Sequence, residues 1–463
     1  MINVWPAENS HFDIVIIGSG PGGQRAAVQS AKLGKKVLIV EKDSLGGACL
    51  HKGTIPSKTL REAAMKCDAL DPHIAEKVMK NAHDIIGAER ELIERQLTRN
   101  KVEICYGMAS FIDPQTILIR SVEGQTKVKT SFVIIATGSR PHRPTIFDFS
   151  HPSIFDSDTI LNLKRQPRHM AVFGSGVVGC EYASIFARLG VKITLFDKRP
   201  TLLKGVDEEI MQILHTQFEK NGITPVLDCE TLKIIPHSEK LIEVSTTKGD
   251  FDFDVLLCCM GREGNVESLH LENAGITANS RGVISVNSSY QTSVSHIYAV
   301  GDVQGSPQLA TSSSEQGRIA AASAFAHYSG KFPETFPYGI YTIPETSSVG
   351  LDEAMAKERG IKVIVGRARY SELARGRIIG DDTGFLKLIF CAETAKLIGT
   401  HCIGTQATEL IHIGQTAIAL GADLDFFLNN VFNYPTLAEA YKVAGYNAFN
   451  QMQNFKREQH KAG

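Results

Sequence analysis

A strand, a glycine turn, a helix, a second strand and a closing acid follow one another in that order twice in this chain. The first copy reads Phe12-Asp-Ile-Val-Ile-Ile17, Gly18-Ser-Gly20-Pro-Gly-Gly23, a helical segment, then Lys36-Val-Leu-Ile-Val40 and Glu41. The second reads Met170-Ala-Val-Phe173, Gly174-Ser-Gly176-Val-Val-Gly179, a helix over residues 180–189, then Lys192-Ile-Thr-Leu-Phe196 and Asp197. In each copy the first glycine lets the chain turn sharply off the strand. The second lets the backbone approach a pyrophosphate, and the third lets the helix pack on the sheet. The helix N-terminus offers free N–H groups and partial positive charge to the phosphates. The closing acid stands where it can accept from a ribose hydroxyl. A single such unit can be an ordinary βαβ fold element. Two complete ones predict an α/β protein with room for two dinucleotides in separate Rossmann-like domains.

The copies differ at their closing ends. Glu41 is followed by Lys42, whereas Asp197 is followed by two cations, Lys198 and Arg199. Asp197 suits the 2′-hydroxyl of NAD(H). Lys198 and Arg199 suit the 2′-phosphate of NADP(H) through charge-assisted hydrogen bonds; as ordinary solvated charges they would have no such role. Both readings stay open at this point.

Size and charge narrow the class further. The chain has 463 residues, 43% hydrophobic and 21% charged, enough for several domains with proper cores. A net charge of -1 gives no argument for nucleic acid or an anionic membrane as partner. No apolar run reaches the roughly 18 residues of a membrane helix. Residues 1–10 have neither an apolar signal core nor an Arg-rich transit pattern, so a cytoplasmic protein is expected. The nine cysteines, Cys49, Cys67, Cys105, Cys180, Cys229, Cys258, Cys259, Cys391 and Cys402, form no spaced framework. Without C-x-x-C or H-E-x-x-H, no metal site is expected. Cys258 and Cys259 lie in an apolar run and read as buried core thiols.

Along the chain, residues 72–101 predict a long, mostly solvated helix with apolar positions at Ile74, Val78, Ile85, Ile86 and Ile93. Residues 131–138 predict a buried parallel strand ending in a tight turn. Residues 140–168 are rich in Pro and polar groups and suggest a domain boundary. Residues 251–260 read as one strand, and Gly261-Arg262-Glu-Gly-Asn265 as a turn-rich crossing. Ile297-Tyr-Ala-Val-Gly301-Asp302 is a strand ending in Gly-Asp, a weak signal in itself because a turn aspartate explains it equally. From residue 341 the pattern becomes a mixed α+β domain. The expected segments are 1–150, 151–270, 271–340 and 341–463.

Residues 18–41, 46–58, Ala136-Thr137-Gly138, 174–181, Ala299-Val-Gly301-Asp302 and 432–439 occur in the order seen in flavoprotein pyridine nucleotide–disulfide oxidoreductases. The chain resembles that family over nearly its whole length. The resemblance implies a first domain holding FAD, a second holding NAD(H) or NADP(H), a returning FAD segment over 271–340, and a C-terminal domain forming a homodimer. It also implies that Lys42, Cys49, Thr54, Lys58, Thr137, Gly138, Gly261, Arg262, Gly301, Asp302 and Tyr434 belong to the cofactor sites. Lys58 would sit beside flavin N5 as a catalytic residue, paired with Glu181 of the second fingerprint.

Two positions depart from the family pattern. The family's redox motif is C-x4-C, but here Cys49 is followed by Thr54, and threonine cannot store electrons in a disulfide. The family's C-terminal motif has a histidine before Pro-Thr. Here Tyr434 stands there, a phenol titrating near ~10 instead of an imidazole titrating near neutrality. Loss of the dithiol machinery with both nucleotide units kept resembles those family members that pass hydride between NADPH and NAD⁺. The stretches Gly53-Thr-Ile-Pro-Ser-Lys58, Gly179-Cys-Glu-Tyr-Ala-Ser-Ile185, Gly339-Ile-Tyr-Thr-Ile-Pro-Glu345 and Phe432-Asn-Tyr-Pro-Thr436 carry that likeness. The alternatives are an NAD(P)H oxidase or quinone reductase, a disulfide reductase borrowing Cys67, and a non-enzymatic FAD-binding scaffold.

Overall fold

The computed structural model describes residues 4–66, 74–327 and 331–462. The chain divides into two compact units, Met1–Arg165 with Cys258–Phe332, and Gln166–Leu257 with Pro333–Gly463.

The first unit is built on a parallel sheet in the order Glu103–Tyr106, Val37–Glu41, Ser10–Ile17 and Gly124–Ile135, with Ile297–Ala299 parallel to the last of these. Both faces of its central strands are covered, which is why they read as unbroken apolar runs. Ile14, Ile16, Ile39 and Ile134 share one core with Ala26, Ala27 and Ile319. Val15, Ile17, Leu38, Val40 and Ile135 face the other way, into a core with Phe111, Leu269 and Ile284. Each fully buried Val, Leu, Ile or Phe side chain among them contributes about 1.5–3 kcal/mol. The helix Pro21–Lys32 packs against the helix Ala310–Ala324. A Cβ on Gly317 would lie 2.1 Å from the Gly22 carbonyl oxygen, so this helix crossing needs glycine.

The second unit carries a parallel set, Ile223–Val226, Lys192–Phe196 and His169–Phe173, and an antiparallel three-stranded sheet, Thr231–Ser238, Leu241–Thr246 and Gly249–Phe253. Its C-terminal part is an antiparallel sheet ordered Tyr338–Ile340, Thr346–Gly350, Leu397–Ile403, Phe385–Cys391 and Val363–Arg369. The helices Ala407–Ala419 and Glu439–Ala462 pack on that sheet. The chain is therefore α/β with an α+β C-terminal part, as the sequence predicts.

Several expectations are corrected. The strand expected over 131–138 starts at Gly124, because its first half alternates polar and buried residues and pairs antiparallel with Thr116–Ser121. The run 251–260 is two strands broken at Asp254, whose carboxylate accepts from the backbone N–H groups of Arg168 and His169. Residues 262–264 are not a bare turn: Arg262–Gly264 pairs antiparallel with Ser139–Pro141. Cys258 is buried, which pushes its thiol up to about 11, but Cys259 is only half-buried. The long helix runs Ile74–Arg99, with Ile85, Ile86 and Ile93 half-buried. Cys67, Pro72 and the side chains of Ile74 and Val78 lie outside the described residues. No helix among the described residues is long and apolar enough to cross a membrane.

Candidate active site

In the first unit the strand Ser10–Ile17 delivers the chain to Gly18, whose φ of +101° is reached without strain only by glycine. The helix begins at Pro21, with Gly20 at its N-cap and Pro at the first helical position, where a missing N–H costs nothing. A Cβ on Gly23 would stand 2.0 Å from the Gly18 carbonyl oxygen, whereas one on Gly20 would meet nothing within 4 Å. Gly23 is thus a packing glycine, and Gly20 borders open space at a helix N-terminus. Glu41, buried at the end of the second strand, accepts from Ser19 N–H at 2.9 Å and Ser19 Oγ at 2.6 Å on Oε2, and from Asp43 N–H at 2.9 Å on Oε1. With about four lone-pair positions on a carboxylate, Oε1 keeps room for another donor. Lys42 is exposed.

Other parts of the unit converge on the same end of the sheet. Gly138 has a φ of +67°, and open space where its Cβ would be. The Thr137 hydroxyl is buried with no hydrogen-bond partner among the described residues, a vacancy that a ligand's polar group would relieve. Asp302, in the short 3-10 turn Gly301–Gln304, accepts from Ser139 Oγ at 2.6 Å. Arg262 donates to Ser139 Oγ at 2.6 Å and to the Ser139 carbonyl at 2.8 Å, and its guanidinium lies 3.7 Å from Asp158 and 3.8 Å from Asp302. Gly301 N–H donates to Gln316 Oε1, and Asn265 donates to the Thr137 carbonyl. Asp302 is therefore more than a turn residue. Gly261 is exposed, with a φ of +100°.

Cys49 lies on the short helix Gly47–His51, and Thr54 and Lys58 on the next, Thr54–Lys66. Burial pushes the Cys49 thiol up; a hydrogen bond with Thr54 opposes this, the Asp302 carboxylate adds to it and the Lys58 charge offsets part of it. Cys49 is a free cysteine and, with a raised pKa, is held as a thiol rather than a nucleophilic thiolate. Lys58 is half-buried.

The second unit repeats the cradle with one change. Gly174 has a φ of +103°, Gly176 is the N-cap of the helix Val177–Arg188 with open space at its Cβ position, and Gly179 is buried in the first turn. Asp197 accepts from Ser175 N–H at 2.6 Å and Ser175 Oγ at 2.9 Å. It also accepts from the Arg199 backbone at 2.8 Å and from its guanidinium at 3.0 and 2.7 Å. Burial opposes ionisation of Asp197, but the bonds from Arg199 and Ser175 outweigh it and hold the carboxyl well below the usual carboxylate range. Lys198 is exposed; Arg199 is not a free surface charge but the ion-pair partner of Asp197. Where Glu41 has spare acceptor capacity, Asp197 is saturated. Glu181, buried on the same helix, accepts from the Tyr341 N–H at 2.9 Å, and Ser184 Oγ accepts from the Ile343 N–H at 3.1 Å. Tyr434 lies in the C-terminal part and is 75% exposed.

Sequence reasoning did not single out Ser19, Ser139, Ser175, Asp158, Asn265 or Gln316. Ser19 and Ser175 were readable as the x of each G-x-G, where a hydroxyl can reach the closing acid. The others are joined only by folding. Among the described residues, no group of three or more His, Cys, Asp or Glu side chains is arranged to hold a metal.

These features agree with what the chain matches. Residues 12–317 match the family model described as pyridine nucleotide-disulphide oxidoreductase, and residues 336–444 match its dimerisation domain. A Mycobacterium tuberculosis protein named soluble pyridine nucleotide transhydrogenase is 42% identical over 457 residues, covering 95% of this chain and 98% of that one. A Pseudomonas putida protein of the same name is 42% identical over 460 residues, covering 96% and 99%. Among solved structures, the Cu(II) complex of the HOCl-induced flavoprotein disulfide reductase RclA from Escherichia coli superposes with a TM-score of 0.88 at 27% identity, covering 94% of this chain and 99% of that one. LpdA from Mycobacterium tuberculosis, at 23% identity and a TM-score of 0.87, shares the fold. The chain belongs to the pyridine nucleotide-disulphide oxidoreductase family and is a flavoprotein oxidoreductase that uses nicotinamide nucleotides.

Proposed function

We propose that this protein is an FAD-dependent transhydrogenase that moves hydride between NADPH and NAD⁺ without a redox-active disulfide. The observation that carries this reading is Thr54, which occupies the second position of the dithiol motif and hydrogen-bonds the Cys49 thiol. Relatives of near-identical length that bear the transhydrogenase name support it.

In the first unit, FAD fits the residues present. Gly18, Gly20 and Gly23 with the helix N-terminus would hold the pyrophosphate, Glu41 the adenosine ribose, and Thr137, Gly138, Gly261, Arg262, Gly301 and Asp302 the flavin-proximal half. Lys42, exposed beside Glu41, would remain at the rim. The bound flavin supplies a two-electron carrier that takes hydride from one nicotinamide and returns it to another. The chain's own contribution is position and field. Lys58 adds a fixed cation near Cys49, favouring negative charge on what binds there. Glu181, fixed by the Tyr341 N–H, would orient the nicotinamide end of a nucleotide held by Gly174, Gly176 and Gly179. Burial keeps Cys49 a spectator thiol, and Thr54 offers it no sulfur to pair with.

At the adenosine end, the pairing of Asp197 with Arg199 supports use of both nucleotides. A 2′-hydroxyl needs the carboxylate, and a 2′-phosphate needs the guanidinium. Release of one from the other exposes the partner that each nucleotide requires, with Lys198 adding charge for the phosphate. Tyr434, exposed in the single chain, belongs with the surface of a homodimer. A cytoplasmic location fits a reaction between two soluble nucleotides.

The test is anaerobic hydride transfer from NADPH to a thio-analogue of NAD⁺ by the FAD-loaded protein. One site used in turn gives parallel double-reciprocal lines, and reductive titration consumes two electrons per flavin. No transfer, or uptake of four electrons, sinks the reading.

A further inference from the structure

Outside the nucleotide cradle, the second unit holds a charge cluster around a buried lysine and a buried aspartate that the reaction does not use directly. Lys387, on the strand Phe385–Cys391, is 1% exposed. Its ammonium meets Asp207 at 2.7 Å, Glu353 at 2.5 Å and Glu209 at 3.4 Å. Arg367, on the neighbouring strand, pairs with Glu209 at 3.0 Å. Taking Lys387 and Asp207 out of water is expensive, and buried ion pairs often add no more stability than well-packed apolar residues of similar volume. What the ions supply instead is a directional anchor, and its target is Asp207.

Asp207 works with both oxygens. Oδ2 takes the Lys387 bond, while Oδ1 accepts from the backbone N–H groups of Glu209 and Ile210 and so caps the helix Glu208–Lys220. The loop of residues 198–206 is consequently tied at each end. Asp197 holds one end through Ser175, and Asp207 holds the other through Lys387. In between, Leu203 N–H donates to the carbonyl of Ser175 at 3.0 Å, reaching back to the glycine turn itself. The loop and the helix border a cleft of about 530 Å³.

The geometry points to Lys387 as a positioning residue for nicotinamide nucleotide binding. By fixing Asp207 to the C-terminal sheet it sets the path of residues 198–206, and with it Lys198, Arg199 and Ser175 at the adenosine end. This rests on the reading that a nucleotide binds at residues 174–199. Lys387 touches no nucleotide; it acts through Asp207.

The experiment measures equilibrium binding of NADP⁺ and NAD⁺ by calorimetry on FAD-loaded full-length protein, for wild type, Lys387→Met, Asp207→Asn and the double variant. Asn is as good an N-cap as Asp, so Asp207→Asn weakens the tie to Lys387 while keeping the helix start. Each single variant is expected to raise the Kd of both nucleotides about tenfold, with saturating turnover changed less than twofold. The double variant should do little worse than either single, because the two residues act as one device. A lower melting temperature with unchanged Kd values in Asp207→Asn overturns the inference and leaves a structural ion pair. Additive losses in the double variant overturn it too. Wild type that binds neither nucleotide overturns the underlying site reading as well, which separates the two failures.

Discussion

Arg199 decides more at the residue scale than its position in the sequence suggests. Its guanidinium occupies the carboxylate that would receive a 2′-hydroxyl, so its removal should act oppositely on the two nucleotides. Arg199→Ala is expected to weaken NADP⁺ binding about tenfold or more, the loss of a charge-assisted hydrogen bond worth about 1.5–3 kcal/mol. NAD⁺ binding should hold or improve, because Asp197 is freed; calorimetry with each nucleotide checks this, and equal shifts would remove Arg199 from the discrimination. Asp197 also links this site to pH. Its folded carboxyl is depressed below the unfolded value near ~4, so its contribution to stability is present above that value and is lost as pH falls through the folded pKa. The stability gap between wild type and Asp197→Asn should be flat from neutrality down to about pH 5, then shrink on further acidification. Thermal melts across that range read it directly.

At the scale of elements, the glycine turns and the helix pair do the positioning. Gly317 brings the helix Ala310–Ala324 against Gly22, in the helix that starts at the first glycine turn. Gly317→Val places carbon into a carbonyl oxygen in a packed interior, and should cost about 1–3 kcal/mol as overpacking. The expected signature is a protein that purifies with less than stoichiometric flavin and melts earlier; full flavin content with wild-type melting would show that the crossing tolerates the change. The same elements show where legibility stops. The fingerprint strands stand within two residues of where the sequence places them, because strong local signals (apolar runs, glycines, a closing acid) agree there with the tertiary fold, while the second helix starts at Val177, three residues before the expected 180. The strand Met108–Asp113 and the first half of Gly124–Ile135 were not legible. Met108–Asp113 buries three residues in a row instead of alternating, and the alternation of the first half of Gly124–Ile135 is short, so antiparallel partners stabilise both rather than local propensity.

For the molecule as a whole, the C-terminal part of the second unit presents Leu420 at 79%, Val431 at 94% and Tyr434 at 75% exposure, with Tyr446 and Phe449 also exposed. Such apolar exposure on a region matching a dimerisation domain supports association of two copies. Light scattering should give twice the 50.5 kDa of one chain, and Val431→Glu should shift the population toward the single chain. An unchanged mass in that variant would move the interface elsewhere.

By itself the sequence determined the α/β class, the two cradles, the closing acids Glu41 and Asp197, and the substitution of Thr54 for a cysteine. These are local facts: a positive φ, a missing Cβ or a missing sulfur acts wherever the chain goes. Tertiary structure alone decided that Ser139, Arg262 and Asp302 meet, that the Thr137 hydroxyl has no partner among the described residues, that Arg199 closes on Asp197, and that Lys387 reaches Asp207. Hydrogen bonds and buried ion pairs between residues far apart in the chain depend on distances of a few tenths of an ångström, which only the packed fold sets.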